Sequence, residues 1–156
     1  MKDKGHFVMA LSWIRAVGIC CGLELVQETV FVEDFSSDQC DFTLGAEFPG
    51  AQGAKGLSTE EFVSAPSSMC VQYDFSKGGN YTGVGRDVEI PETVTTIRFQ
   101  AKDASGNRLV VRLLDSTGQT HQRRGVLLQN PGEWNDLTVR VSDQAFPDHW
   151  GGARDG

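Results

Sequence analysis

The chain of 156 residues lacks most of the patterns by which catalysis or metal binding is recognised. It has no GxSxG, no HExxH, no P-loop and no GxGxxG, which excludes a nucleophile elbow, a zinc-protease helix and the common nucleotide cradles. Asp and Glu are plentiful, yet no pair is set apart as the opposed carboxylates that glycoside cleavage needs. The three histidines, His6, His121 and His149, are scattered and make no metal site, and no CxxC or Cys/His spacing suggests zinc. Positive charge is scarce. Fourteen Lys and Arg against 21 Asp and Glu leave a net charge of -7, which argues against a nucleic-acid partner because the phosphate backbone repels an acidic protein. No convincing amphipathic helix follows residue 28. The apolar run Phe7–Ile14 is too short to span a bilayer as a helix. There is neither an internal repeat nor an interdomain linker, and the length suits one domain with a substantial core.

What is present is strand and turn. Glycine is abundant, at 18 residues, which fits many turns. Thr95–Val126 organises the rest, with three short runs separated by Asp103-Ala-Ser-Gly-Asn107 and Asp115-Ser-Thr-Gly-Gln119. Glycine supplies the positive φ such turns need, and Asp and Ser bond their own backbone two residues on. Ile97, Phe99 and Ala101 alternate with polar neighbours, as do Leu109, Val111 and Leu113 with Val110, Arg112 and Leu114. Period two predicts strands with one face in a core, arranged as an antiparallel meander. Further strands are expected at Val30–Phe35, Met69–Phe75, Tyr81–Ile90 (weakened at Gly83 and Gly85) and Trp134–Val141. Residues 45–68 read as a long, small-residue loop and the tail from Phe146 as a loop. The fold class is all-β, an antiparallel β-sandwich of jelly-roll type.

Residues 1–27 differ in kind. Lys2 and Lys4, the apolar run and the small Ala16 and Gly18 resemble a secretory leader, which places residues 1–27 outside the fold and the chain in a secreted or periplasmic location. Cys20 and Cys21 fall in or just after it. Cys40 and Cys70 fall in the domain, where either a disulfide or two buried thiols is consistent with the sequence.

The ordered set Phe35, Phe48-Pro-Gly-Ala51, Val71-Gln-Tyr-Asp-Phe-Ser-Lys-Gly-Gly-Asn-Tyr81, Asp115-Ser-Thr-Gly-Gln-Thr-His-Gln122, His149-Trp-Gly-Gly152 and Asp155-Gly156 resembles accessory carbohydrate-binding modules. These are similar to family 11 and the wider galactose-binding-like β-sandwich, and accompany exported bacterial glycoside hydrolases. The resemblance covers residues 28–156. It implies two antiparallel sheets, one with a concave face, a non-catalytic domain, a polysaccharide or oligosaccharide partner, and a catalytic domain C-terminal to it. Domains of this kind continue past the position of Gly156 with a further strand beside the first, so the resemblance implies a chain that stops short of its last strand.

Carbohydrate binding needs aromatic faces for sugar C–H surfaces and polar side chains for hydroxyls. Tyr81, Trp134 and Trp150 are the aromatic candidates. Trp134, opening a strand, reads as core, and Trp150, in a glycine-flanked loop, as rim. Arg98, Gln100, Arg112, Arg123 and Arg140 lie on polar sides of successive strands, forming either a donor-lined groove or a solvated face with cross-strand ion pairs. His121 completes the candidate ligand set of Tyr81, Arg98, Gln100, Arg112, His121, Arg123 and Trp150. In related sandwiches a structural calcium sits near the first strand, which makes Glu33 and Asp34 its candidates here; no other cofactor is implied. Two other readings stay open: a protein-interaction sandwich, and a fragment of a jelly-roll polysaccharide-degrading enzyme with His121 and Arg123 near its chemistry.

Overall fold

The computed structural model describes residues 4–17, 27–37, 39–45 and 49–153. Among them no helix forms. The strands are β1 (Lys4–Val17), β2 (Gln27–Phe31), β3 (Thr43–Gly45), β4 (Gln52–Ser58), β5 (Ser68–Asp74), β6 (Gly83–Gly85), β7 (Val94–Asp103), β8 (Leu109–Leu114), β9 (Thr120–Val126), β10 (Asn135–Arg140) and β11 (Asp148–Trp150). Every pairing is antiparallel. The largest sheet runs β10-β7-β1-β5-β4, with β2 added beside the later part of β1. A second sheet runs β11-β9-β8, and β3 pairs with β6 in a third.

The predicted alternation sets the core. In β7, Val94, Ile97, Phe99 and Ala101 are buried, and they cluster with Val139 of β10, Leu128 and Phe146. Leu109, Val111 and Leu113 of β8 and Val126 of β9 pack against the same cluster from the second sheet. The two sheets therefore meet through the faces on which the apolar residues recur every second position. A smaller cluster joins Met69 and Val71 of β5 to Phe35 and Phe42, with Leu44, Leu57 and Val84 around it.

The meander is divided between sheets. β7 is hydrogen-bonded on both sides, by β1 and by β10, so it has no edge left for β8. The Asp103–Asn107 turn instead carries the chain to the opposite sheet, and a part-buried polar network holds it. Tyr73 donates its hydroxyl to Ser105 Oγ at 2.8 Å, and Ser105 donates to Asp103 Oδ2 at 2.6 Å. Asn107 Nδ2 donates to the Tyr73 oxygen at 2.9 Å.

Three expectations are corrected. Lys4–Val17, expected outside the fold as a leader, forms β1 and pairs with β5, β7 and β2. An apolar run without helix caps is a strand as readily as a targeting segment, and local pattern does not separate the two. Within 45–68, Gln52–Ser58 is not loop but β4, whose small residues hid the strand and whose ladder to β5 supplies what propensity does not. The first expected strand ends at Phe31 rather than Phe35; Phe35 instead has φ of 54° and is buried in the smaller cluster. Gly18, Cys20, Cys21, Phe48, Asp155 and Gly156 lie outside the described residues.

Cys40 and Cys70 are both free thiols. Cys40 packs on the side of β5 that presents Met69 and Val71, whereas Cys70 alternates to the other side, so no bridge joins them.

Candidate functional site

β8 sends Leu109, Val111 and Leu113 toward the core and Val110, Arg112 and Leu114 to the outer face. Register then fixes the neighbours of that outer face. Arg112 stands opposite Gln122 and Leu114 opposite Thr120 on β9, while Asp148 and Trp150 of β11 stand opposite the same Gln122 and Thr120. Cross-strand partners share a side of the sheet, so three strands contribute to one surface.

Arg112 is its centre. The guanidinium carbon lies 4.9 Å from the centroid of the Tyr81 ring and 5.4 Å from that of Trp150. Both distances are within cation–π range. Arg112 Nε donates to Gln122 Oε1 at 2.8 Å, and Gln122 Nε2 donates to Asp148 Oδ2 at 3.1 Å. Arg124 Nε donates to the same Asp148 oxygen at 2.5 Å. The hydrogen bond from Gln122, and after it Arg124, holds the Asp148 carboxyl below the usual carboxylate range. Gln122, only 5% exposed, is the buried link of this chain, while Trp150 is 42% exposed. The surface thus offers two aromatic rings, two guanidinium groups and one carboxylate, held in position by a connected network.

β11 stays on the sheet partly through the turn that follows it. Gly152 has φ of 53°, and a Cβ there would collide with the Gln119 backbone, so only glycine lets the chain return so closely. Ala153 N donates to Thr117 Oγ1 at 3.0 Å, tying that return to the Asp115–Gln119 turn.

Of the seven candidate ligand residues, the structure brings Tyr81, Arg112 and Trp150 together and separates the other four. Arg98 and Gln100 lie on the far side of β7 from its core residues, on the outer face of the largest sheet, and Gln100 donates to Asp136 Oδ1 at 2.8 Å. His121 and Arg123 point to the opposite side of β9 from Gln122. His121 Nε2 lies 3.2 Å from Asp115 Oδ2, and Arg123 Nη1 donates to the Ala145 carbonyl at 3.4 Å. Gln122, Arg124 and Asp148 take their places on the platform. β9 reads THQRRGV, polar on both sides, so alternation alone could not tell its two faces apart.

Glu33 and Asp34 do not form a carboxylate cage. Glu33 pairs with Arg86, which also lies 3.1 Å from Asp41, and its other oxygen accepts from Phe35 N at 2.9 Å. Asp34 Oδ1 accepts from Ser36 N at 2.9 Å, and the bonds from Ser36 hold its carboxyl below the usual range.

A separate depression of about 350 Å³ lies along β4 and β5, lined by Ala54, Gly56, Ser58, Cys70 and Gln72 among others. Among the described residues no aromatic side chain lines it. The Arg112 surface is therefore the better candidate for recognising a ligand with both apolar and hydroxyl faces. No protein-family model matches the chain, and neither a curated protein nor a solved structure matches it.

Proposed function

We propose that this chain is a non-catalytic carbohydrate-binding module that tethers a glycoside hydrolase to polysaccharide. The observation that carries the binding is the Arg112 guanidinium held between the Tyr81 and Trp150 rings on an outer sheet face. Sugar rings present C–H faces that pack on aromatics and hydroxyls that take bidentate or charge-assisted hydrogen bonds. Trp150 supplies the first, and Arg124 and Asp148 flank it with donors and an acceptor. The tethering role, the jelly-roll, galactose-binding-like assignment and the exported location rest on the resemblance of residues 28–156. Binding of this kind requires no cofactor.

Affinity electrophoresis with neutral and uronic polysaccharides tests the reading on the wild type and on Tyr81→Ala, Trp150→Ala and Arg112→Ala. Retardation by at least one polysaccharide, lost in Trp150→Ala, is expected. For an acidic glycan Arg112→Ala and added salt both weaken binding; for a neutral one the aromatic variants matter more and salt matters little. A folded protein that no glycan retards would overturn the proposal.

A second reading has its own observation. Leu114 is 72% exposed and Val110 48% exposed on the same face. Apolar side chains gathered around an aromatic and an arginine also suit a protein interface. The absence of glycan retardation, together with loss of a protein complex in Leu114→Glu, would favour it.

A further inference from the structure

His121 and His149 take no part in the Arg112 network, although 27 residues separate them in sequence and the structure makes them neighbours. They stand opposite one another across the β9–β11 ladder. Their rings meet edge to face, with centroids 4.9 Å apart and planes at 88°. The two Nδ1 atoms are 2.9 Å apart. On its other side His121 Nε2 faces Asp115 Oδ2 at 3.2 Å. That carboxylate is fixed by the turn, accepting from Thr117 N and Thr117 Oγ1, both at 2.8 Å, and from Gln119 N at 2.9 Å.

This arrangement selects a tautomer. A carboxylate only accepts, so in the neutral imidazole Nε2 of His121 carries the proton and the Nδ1 lone pair is left on the His149 side. The carboxylate–imidazole pairing is the one that orients metal-ligating histidines. The spacing also fits. Two imidazole nitrogens in adjacent positions of a square-planar ion, each at about 2.0–2.1 Å, lie about 2.9 Å apart.

We propose that His121 and His149 form a two-imidazole site for a divalent late transition-metal ion, with copper(II) bound in preference to nickel(II) or zinc(II). Nitrogen ligands suit these ions, and copper(II) heads the affinity order. His149 is exposed, which gives the ion its entry path and leaves water to fill the remaining positions. Among the described residues no three His, Cys, Asp or Glu side chains are grouped to hold a metal, so two protein ligands define the site. The proton balance closes at neutral pH. A proton on His149 Nδ1 transfers to Nε2 of the same exposed ring, and both Nδ1 lone pairs go to the ion. Acid competes with the metal for those lone pairs. The charged groups around the pair are Asp115 from the turn, facing His121 Nε2, Arg123 two residues on along the same side of β9, and Asp148 on the other side of β11, where Arg124 pairs with it. The Asp115 carboxylate is the one that faces the imidazole pair directly, and it favours a cation there.

The test is copper sulfate titrated into the full chain carrying His6→Ala, which removes the third histidine. Binding is read by copper electron paramagnetic resonance and by quenching of tryptophan fluorescence, since Trp150 adjoins His149 in sequence. One copper per chain, with coupling to two imidazole nitrogens, is expected at pH 7.5. His121→Ala, His149→Ala and the more conservative His149→Gln should each abolish the two-nitrogen spectrum with the far-ultraviolet dichroism unchanged. Asp115→Asn should weaken binding about 10–100-fold, as loss of an orienting carboxylate does. An unchanged spectrum in His149→Gln, or copper bound by the His6→Ala chain through at most one imidazole, overturns the proposal. The readout uses no glycan, so its result is independent of the carbohydrate-binding reading.

Discussion

Replacing Phe99 by alanine tests the whole arrangement of sheets. Phe99 is 5% exposed, between Ile97 at 6% and Ala101 at 0% on the core side of β7, and it stands opposite Leu137 of β10. The residues that would have to close over the lost ring come from both sheets, and strands hydrogen-bonded on either side do not shift easily. The truncation should therefore leave a cavity, and large-to-small changes of this kind cost about 3–5 kcal/mol. For a chain of this size each kcal/mol lowers the melting temperature by about 2–4 °C, so a fall of roughly 6–20 °C follows. Urea denaturation followed by circular dichroism, with an unchanged slope, measures it. Gln100→Ala is the control. Its side chain is on the other face and donates to Asp136 near the surface, so its loss should stay below about 1 kcal/mol. A loss below about 1 kcal/mol for Phe99→Ala would place that ring at the surface and invert the register of β7.

Other outcomes follow from the same structure. Deleting residues 1–17 removes β1 from between β5 and β7 and should abolish the cooperative unfolding transition; a truncated chain that melts like the full one would put that segment outside the folded unit. The Asp115 carboxyl is held well below the usual range, chiefly by the Thr117 hydroxyl, with help from Gln119 N and His121. A depressed folded value means that the contribution is complete above the ordinary carboxylate range and lost as pH falls through and below it. Stability of the wild type should therefore drop more between pH 6 and pH 3 than that of Asp115→Asn, and equal drops by denaturant titration would refute the assignment. Burial, and after it Glu61, pushes the Cys70 thiol above its ordinary value, so iodoacetamide at pH 8 should modify Cys70 more slowly than an unstructured cysteine; equal rates would contradict its placement.

The sequence alone determined the strand character of the chain and the buried face of its best strands. In β5, β7 and β10 the apolar residues recur every second position, and Met69, Val71, Ile97, Phe99 and Val139 are buried as that period requires. Tyr81, Arg112 and Trp150 were candidates from the sequence too, Arg112 as a charge alternating with apolar residues in β8 and Tyr81 and Trp150 as aromatics among small and polar neighbours. Tertiary structure alone decided which strands pair. A strand flanked on both sides has no edge for its sequence neighbour, so β7 gave its edges to β1 and β10, and β8 went to the other sheet. That one crossing separates Arg98 and Gln100 from Arg112 and puts them on opposite outer faces of the protein. It also brought forward Gln122 and Asp148 and turned His121 away, because a strand polar on both sides takes its orientation from its partners' register and not from its own pattern.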